Sequence, residues 1–312
     1  MTLQSPVVQK VDSAVRKVIG SGPAVLAISG GLDSMVLLES ASRAAADITV
    51  ATFDHGTGVF AEESVKLVAR RASELGLACV IGRAARTPAR ESDWRSARMA
   101  FLKDVADREC RVIATAHNRD DQVETVFMRI LREAGPRGLS GLFADSLILR
   151  PLLEFSRVEL TDYVRTQALV FLEDPSNSNR AHMRNRVRHD LLPAIRQVQP
   201  DIDDQLLDIA RKSTQWRREM DKLVEKLGAD RPEKGELRVE RDRLRKYDAS
   251  SLRVIWPVLA ARASVVMDRR GTHRAAEFTI NGMTGGSIQL SGGVEILMRR
   301  DHLLLRRWQP QK

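Results

Sequence analysis

Short apolar runs alternate with longer amphipathic segments through the first half of the chain. Four such runs predict buried strands: AVLAIS (24–29), ITVATFD (48–54), LACVIG (77–82) and RVIATAH (111–117). The segments between them have the spacing of amphipathic helices. This alternation favours a parallel sheet with helices on both faces, and such a sheet binds its ligand at the carboxyl ends of the strands.

The pattern changes after residue 150. Residues 147–169 predict one more strand and a helix, and residues 170–195 form a polar loop that leads into a basic helix. We therefore predict an α/β fold for residues 1–200, built on a parallel five-stranded doubly wound sheet. Gly76 and Gly135 follow two of the predicted helices directly, so each is expected to end its helix.

The last third of the chain lacks the strand–helix alternation. Residues 201–228 and 236–263 have a mainly helical pattern, and residues 285–308 alternate like short antiparallel strands joined by glycine turns. The glycines of GGSIQLSGG are predicted to form hairpin turns rather than a phosphate loop. We predict a smaller, mainly helical C-terminal domain over residues 201–312, with the boundary near residue 200.

The charge balance adds a prediction about partners. The chain has 312 residues with 50 Lys and Arg against 41 Asp and Glu, which gives a net charge of +9. Such an excess favours a polyanionic partner, because contacts to phosphates release counterions, although a solvated basic surface is the alternative. Aromatic residues make up only 4% of the chain, which argues against a platform of many base-stacking side chains.

The two cysteines, Cys79 and Cys110, do not form a CxxC pair. Both lie in apolar stretches and are predicted to be buried thiols, so neither a disulfide framework nor a structural zinc site is expected.

The N-terminal segment has no continuous apolar core, and no run approaches the ~18 apolar residues of a membrane span. We therefore expect a cytoplasmic protein.

The segment AISGGLDSMVLL lies between the first predicted strand and the following helix. Its glycines allow backbone amides to approach a phosphate, and the helix N-terminus adds positive potential. The lysine of a Walker A loop and the GxGxxG pattern are both absent. Because the carboxylate of Asp33 would repel a phosphate, we infer a Mg²⁺ ion between them. The predicted nucleotide-binding residues are Ser29, Gly30, Gly31, Leu32, Asp33 and Ser34, together with Asp54 after the second strand.

A second motif, HNRDDQVET, follows the fourth predicted strand. Helical spacing places His117, Asp121 and Glu124 on one face, whereas Asp120 points about 100° away and is the expected helix cap. Further along, Arg184 and Arg188 lie one helical turn apart. They are predicted to contact phosphate or position the substrate, and a solvated basic helix is the alternative.

The SGGxDS string resembles the PP-loop ATP-pyrophosphatases, whose fold is adenine nucleotide alpha hydrolase-like and which cleave ATP between its α and β phosphates. Together with HxxDDxxET it resembles the tRNA(Ile)-lysidine synthases. Six further segments between residues 20 and 195 fit that family: FDHG (53–56), ESDWRSAR (91–98), GLSG (138–141), RPLL (150–153), EDPSN (173–177) and RNRVRH (184–189). Two positions depart from the family pattern. Met99 stands where a tyrosine is usual, and no arginine closely follows DHG.

The resemblance implies a specific reaction. ATP adenylates the C2 oxygen of the cytidine at the wobble position, position 34, of a tRNA(Ile) with the anticodon CAU. The ε-amine of free lysine then displaces AMP, so that lysidine, AMP and pyrophosphate result. ATP and Mg²⁺ are thus the expected cofactors, and lysine and tRNA(Ile) are the expected partners of a ligase without membrane association. A homodimer is compatible with this description.

The resemblance also implies roles for single residues. The candidate catalytic residues are Asp33, which also binds the metal, and Arg98, His117, Asp121 and Glu124. The lysine ammonium, with a reference pKa of about 10.4, must lose a proton before attack, and the sequence does not decide which of the last three is the base. The candidate substrate-binding residues are Glu91, Arg95, Asp120, Arg184 and Arg188.

Some of these roles have open alternatives. Glu91 is a candidate for the α-amino group of lysine, and Arg95 or Arg98 for its carboxylate or for the adenylate, but each is equally compatible with a salt bridge on a helix surface. For the whole chain, the competing functions are a related PP-loop tRNA thiolase, an amide-forming PP-loop synthetase and a non-catalytic tRNA-binding protein. The missing CxxC argues against the thiolase, and the intact acidic motif argues against the non-catalytic protein.

Overall fold

The computed structural model describes residues 5–20, 22–44, 47–84, 91–230 and 236–308, and the side chains of residues 91 and 92 are also outside this description. The chain forms two units, Met1–Lys212 and Ser213–Lys312. The first corresponds to the predicted α/β half, for which a boundary near residue 200 was expected.

The first unit contains a parallel sheet with the order β3-β2-β1-β4-β5. Its strands are β1 (Ala24–Ala27), β2 (Ile48–Asp54), β3 (Ala78–Arg83), β4 (Val112–Thr115) and β5 (Ile148–Leu149). The predicted five-stranded doubly wound sheet is therefore confirmed. The strand order reverses between β1 and β4, and this switch point is where such sheets form a ligand crevice at their carboxyl ends.

Helices pack on both faces of this sheet. The helices of this part of the chain are α1 (Pro6–Ile19), α2 (Leu32–Ala44), α3 (Val59–Glu74), α4 (Glu91–Arg108), α5 (Arg119–Leu131) and α6 (Arg157–Gln167). On one face, α1, α2, α3 and α6 bury an aliphatic core against β1 and β2. On the other face, α4 packs Leu102, Val105 and Ala106 against β1, β2 and β4. Burial of these two apolar surfaces is the main force that holds the sheet between its helices.

The helix ends and the cysteines test smaller predictions. Gly76 follows α3 with a φ of +68°, as expected of a glycine that terminates a helix. The α5 helix ends before Gly135, because Glu133 takes the left-handed conformation with a φ of +53°. The prediction of buried thiols is wrong for Cys110, which is exposed in the turn before β4, while Cys79 on β3 is half-buried. The residues on either side of Cys110 are the charged Glu109 and Arg111, and the turn that holds them faces solvent.

The basic segment forms a continuous helical run with an irregular middle. A short helix, α7 (Met183–Arg186), continues through a π-helical turn at Val187–Leu191 into α8 (Leu192–Val198). Val187 and Leu192 are fully buried against Val123 and Val126 of α5. This packing fixes the basic helix beside the acidic face of α5.

The second unit combines helices with an antiparallel sheet of order β6-β9-β8-β7. Its elements are the end of α9 (Ile202–Lys226), β6 (Leu237–Glu240), α10 (Arg241–Leu244), α11 (Ala249–Arg262), α12 (Arg269–Asn281), β7 (Ser287–Leu290), β8 (Val294–Met298) and β9 (His302–Arg307). Trp256 is fully buried in its core and donates to Thr279. In the described residues no helix has the length and apolar character to cross a membrane.

Two local predictions are settled in this unit. The glycines of the GGSIQLSGG string form turns, with a positive φ at Gly285, Gly292 and Gly293. Residues 237–240 were expected to continue a helical pattern, but they form an edge strand. Leu237 and Val239 are buried while Arg238 and Glu240 are exposed, so the segment alternates with a period of two and pairs with β9.

Candidate functional site

The glycine loop leaves β1 at the centre of the sheet and enters α2. Gly30 has a φ of +84°, and a Cβ atom there would lie 3.3 Å from Ser64 on α3. The Ser34 hydroxyl donates to the carbonyl of Gly31 and accepts from the backbone N–H of Ser29, which closes the loop into a tight turn. The backbone N–H of Leu172 donates to the carbonyl of Gly30 from outside. The loop is therefore compact and held from two sides.

Asp33 lies in the first turn of α2, directly after this loop. Burial raises the pKa of its carboxyl from the usual 3.8 to about 6, although the nearby guanidinium of Arg157 acts in the opposite direction. The distance from Arg157 Nη1 to Asp33 Oδ2 is 3.7 Å. Asp33 Oδ1 is buried and has no hydrogen-bond partner among the described residues. A buried carboxylate with a free oxygen is expensive, and a bound cation would lower that cost.

The start of α5 carries the second motif. Asn118 is the N-cap, since its side chain accepts from the backbone N–H of Asp121 while the Asp121 carboxylate accepts from the N–H of Asn118. The prediction that Asp120 caps this helix is therefore wrong. Asp120 instead accepts from the backbone N–H of Arg157, the first residue of α6, at 2.8 Å. The first N–H groups of a helix have no acceptor within that helix, and here a side chain of α5 accepts from one of those of α6. This bond links the starts of the two helices.

Asp121 and Glu124 meet the two arginines of the basic helix. Arg184 donates from Nε to Glu124 at 2.8 Å and from Nη2 to Asp121 at 2.9 Å. Arg188 contacts the same two carboxylates, with an Nη2–Asp121 distance of 3.2 Å. The Glu124 side chain is only 3% exposed. The alternative of a solvated basic helix is therefore wrong for these two arginines, which turn inward and form a four-membered ionic cluster.

His117 lies between β4 and α5. Its Nδ1 atom is 2.9 Å from the hydroxyl of Thr115. Burial lowers the pKa of the imidazole to about 4, and the charges of Arg150, Arg184 and Arg95 act in the same direction, against the opposing effect of Asp121. His117 is therefore a neutral ring at physiological pH, which can exchange hydrogen bonds without carrying charge.

Asp54 ends β2 and is almost completely buried. One of its oxygens accepts from the backbone N–H of Gly56 at 2.8 Å, and the other accepts from Arg83 on β3 at 2.9 Å. Both oxygens are thus engaged by the protein itself. The structure brings Asp54 to the carboxyl edge of the sheet, where it stabilises the turn that carries His55.

The segment ESDWRSAR forms the beginning of α4. Arg98 is a deeply placed guanidinium whose pKa is lowered by burial and by the positive charge of Arg95. Within the residues that the structure describes, no carboxylate forms an ion pair with Arg98. The side chain of Glu91, a predicted substrate-binding residue, lies outside the described part of the chain. Met99, which replaces the usual tyrosine, packs against the core beneath α4.

The structure therefore brings most of the predicted residues to one edge of the sheet. Asp33, Asp121 and Arg188 interact electrostatically, and His117 interacts with Arg95 and Arg184. Four further residues of this edge had no predicted role: Thr115, Asn118, Arg150 and Arg157. Asn118 and Arg150 lie in the motifs HNRDDQVET and RPLL, and the capping box Ser156–Glu159 fixes the start of α6 and so the place of Arg157.

A magnesium ion fits the chemistry of this edge. In the described residues no group of three or more His, Cys, Asp or Glu side chains is assembled for a metal. Asp33 has a carboxylate oxygen beside the phosphate loop that no described residue contacts by a hydrogen bond. Mg²⁺ is commonly held by one or two carboxylates together with substrate phosphates and water, so a single protein ligand here is sufficient.

The comparisons with known proteins agree with this geometry. A family model described as the PP-loop domain matches residues 3–195. The solved structure of the U34-tRNA thiolase NcsA from Methanococcus maripaludis superposes with a TM-score of 0.55 at 14% identity, over 67% of this chain and 79% of that chain. At that identity the likeness shows a shared fold.

Several curated relatives are similar over the same region. The tRNA(Ile)-lysidine synthase of Salinispora arenicola is 34% identical over 230 residues, which are 68% of this chain and 69% of that protein. The tRNA(Ile)-lysidine synthase of Alkalilimnicola ehrlichii is 37% identical over 205 residues, which are 61% of this chain and 46% of that protein. The chain thus spans about half the length of several of the curated relatives that it matches.

Proposed function

This chain belongs to the tRNA(Ile)-lysidine synthase family and carries its PP-loop domain, and from that premise we propose that it ligates lysine to the wobble cytidine of tRNA(Ile). ATP adenylates the C2 oxygen of cytidine 34 in the anticodon CAU. The ε-amine of lysine then attacks C2 and displaces AMP. The products are lysidine, AMP and pyrophosphate, and the reaction takes place in the cytoplasm.

The observation that carries this proposal is the environment of Asp33. Asp33 lies beside a glycine loop, and one of its carboxylate oxygens is buried without a hydrogen-bond partner among the described residues. The guanidinium of Arg157 is 3.7 Å from the other oxygen, and the charge of Arg188 also acts on the carboxylate. Burial of such a carboxylate lowers the stability of the fold. An enzyme that acts on a metal-bound polyphosphate can use the same carboxylate to bind the metal. The ionic cluster formed by α5 and the basic helix lies on the same edge, where a second substrate can meet the nucleotide.

The nucleotide half of the reaction uses the loop. The amides around Gly30 and Gly31 and the N-terminus of α2 face the phosphates of ATP. A Mg²⁺ ion held by Asp33 would neutralise the charge that develops on the leaving pyrophosphate. Arg157, whose guanidinium lies next to Asp33, is placed to contact the same phosphates from the α6 side.

The lysine half uses the carboxylates of α5. Asp121 and Glu124 are each bound to Arg184 and Arg188. An incoming lysine ammonium must therefore share these carboxylates with the guanidiniums or replace one guanidinium. Transfer of positive charge within one cluster keeps both carboxylates compensated throughout. His117 is neutral and adjacent to Asp121, so it can hydrogen-bond to the amine as the proton leaves.

The tRNA is bound with the help of the second unit. Its exposed arginines include two pairs, Arg269 with Arg270 and Arg299 with Arg300. Guanidiniums of this kind bind backbone phosphates without reading sequence, so they add affinity rather than specificity. The net charge of +9 over the chain favours the same partner.

One assay tests the proposal. The protein is incubated with ATP, Mg²⁺, labelled lysine and a tRNA(Ile) transcript with the anticodon CAU, and radioactivity in the tRNA is measured. The expected result is incorporation that requires ATP and releases one AMP for each lysine. Matched controls are the same transcript with the anticodon GAU and the variant Asp33→Asn. Absence of incorporation by folded protein that still binds the tRNA would contradict the proposal.

A further inference from the structure

A row of four rings runs outward from the core at the carboxyl end of β2. The ring centroids are 5.4 Å apart for Phe101 and Phe53, 5.0 Å for Phe53 and His55, and 6.1 Å for His55 and Trp94. A Cβ atom at Gly82 would lie 2.6 Å from the Phe101 ring and 2.7 Å from the Phe53 ring. The glycine thus makes room for the inner two rings, which support the outer two.

The outer rings differ from the inner pair in exposure and polarity. Trp94 and His55 are both half-buried rather than enclosed in the core. Burial and the charge of Arg98 lower the pKa of His55, so its ring is neutral at physiological pH. His55 Nδ1 is buried, and none of the described residues forms a hydrogen bond to it. A neutral ring nitrogen in this condition is able to form a hydrogen bond with a bound molecule.

Arg98 is the third member of this group. Its guanidinium is close enough to lower the pKa of His55, and its own pKa is lowered by burial and by Arg95. The contrast with the basic helix is informative, because Arg184 and Arg188 are fully paired with Asp121 and Glu124. A desolvated guanidinium without a carboxylate partner among the described residues is suited to an oxygen of a bound ligand.

We propose that Trp94, His55 and Arg98 form a nucleobase subsite, in which Trp94 and His55 contact the face of the base and Arg98 donates to an oxygen attached to the same nucleotide. A base offers the flat π-face, the ring-edge polar atoms and the nearby oxygen that these three side chains require. The proposal deepens the proposed function and rests on it, since that reaction brings two nucleobases to this edge. These are the target pyrimidine of the tRNA and the adenine of ATP.

Tryptophan fluorescence tests the subsite directly. Trp216 and Trp308 are changed to Phe, so that Trp94 and the fully buried Trp256 remain. In the first arm, the protein is titrated with a non-hydrolysable ATP analogue. In the second arm, it is titrated with an anticodon stem-loop RNA without ATP, so that no reaction takes place. We expect saturable quenching in one arm, which identifies the base that Trp94 contacts. Quenching that persists equally after Trp94→Phe, or that is absent in both arms, would overturn the proposal.

Affinity measurements on Trp94 variants complete the test. In the wild-type background, Trp94→Ala is expected to weaken binding of the identified ligand about tenfold, and Trp94→Phe less. Trp308→Ala, the matched control in the other unit, should leave affinity unchanged. If wild-type protein quenches but incorporates no lysine, the proposed function fails and the subsite stands. If it incorporates lysine while Trp94→Ala binds both ligands normally, the subsite fails and the function stands.

Discussion

Arg157 Nη1 lies 3.7 Å from Asp33 Oδ2, while the backbone N–H of the same arginine donates to Asp120 at 2.8 Å. The first residue of α6 therefore links the phosphate loop to the start of α5. Its side chain is 40% exposed, so solvent competes for the guanidinium. The contact is suited to exchange, because a phosphate can replace the carboxylate without a large rearrangement.

Replacement of Arg157 tests this contact. We expect Arg157→Ala to lower kcat/KM for ATP about tenfold, because a charge-assisted contact to the phosphates is lost. Steady-state kinetics with saturating tRNA and lysine measure the effect. The control is Arg165→Ala on the same helix, whose guanidinium is 76% exposed and pairs with Asp162. Unchanged ATP kinetics in Arg157→Ala would show that the guanidinium has no part in nucleotide binding.

Asp33→Asn should stabilise the ligand-free protein while it abolishes ATP consumption. The folded-state pKa of about 6 lies above the usual 3.8, so folding favours the protonated form. The cost of ionisation is absent below the usual value, grows as the pH rises, and is complete above the folded-state pKa. Because asparagine avoids this cost, the free energy of unfolding should rise by about 1–3 kcal/mol near neutral pH.

Urea titrations at neutral pH and near pH 4 measure this difference, which should fall below about 1 kcal/mol at the lower pH. The matched control is Asp104→Asn, since Asp104 is 51% exposed and pairs with Arg108 within one helix. That variant should change stability little at either pH. A less stable Asp33→Asn protein at neutral pH would mean that the contact with Arg157 outweighs the burial of the charge.

The two loop glycines should respond differently to alanine. Gly30 has a φ of +84° and a Cβ there would lie 3.3 Å from Ser64, so Gly30→Ala should cost about 1–3 kcal/mol of folding free energy. At Gly31 the nearest atom to a Cβ is 3.7 Å away, which is an ordinary contact. Gly31→Ala should fold normally and yet bind ATP more weakly, because the methyl group occupies the approach of the phosphate. Thermal unfolding and ATP titration separate the two effects, and equal loss of stability in both variants would argue against this distinction.

The ionic cluster should be sensitive to removal of one member. Glu124→Gln leaves two guanidiniums facing Asp121 alone, and we expect a loss of about 1–3 kcal/mol in the free energy of unfolding. Arg180→Gln is the control, because the Arg180–Asp190 pair is about half exposed on both sides and should contribute little. In the double variant Glu124→Gln with Arg188→Gln the loss should be smaller than the sum of the single losses. Additive losses would show that the two side chains do not interact in solution.

The sequence predicts the sheet and the location of the site better than it predicts which side chains of the site form ion pairs with each other. Strand–helix alternation and the rule for carboxyl ends place Asp33, Asp54 and His117 on one edge without further information. The partner of Glu124 cannot be read in the same way, because Arg184 and Arg188 lie 60 and 64 residues away along the chain. The packing of Val187 and Leu192 against α5 brings them together.

Two wrong predictions, the N-cap of α5 and the helical pattern at residues 237–240, arise where the local sequence is compatible with more than one structure. Asn118, Asp120 and Asp121 are all able to cap a helix, and the contact of Asp120 with α6 decides which of them does. The segment 237–240 is similar, since its alternation is too short to outweigh the helical pattern around it. Pairing with β9 determines its structure, and that strand lies more than 60 residues later in the chain.

The π-helical turn at Val187–Leu191 makes the basic helix unusually tolerant of a change in chain length. A π turn contains one residue more than an α turn, so deletion of a single residue here would restore a regular helix rather than break one. The π turn already absorbs the extra residue, so the helical residues on either side would keep their register after the deletion, with Arg184 beside Glu124 and Leu192 against α5. The basic helix can therefore lose one residue between these two side chains without loss of either contact.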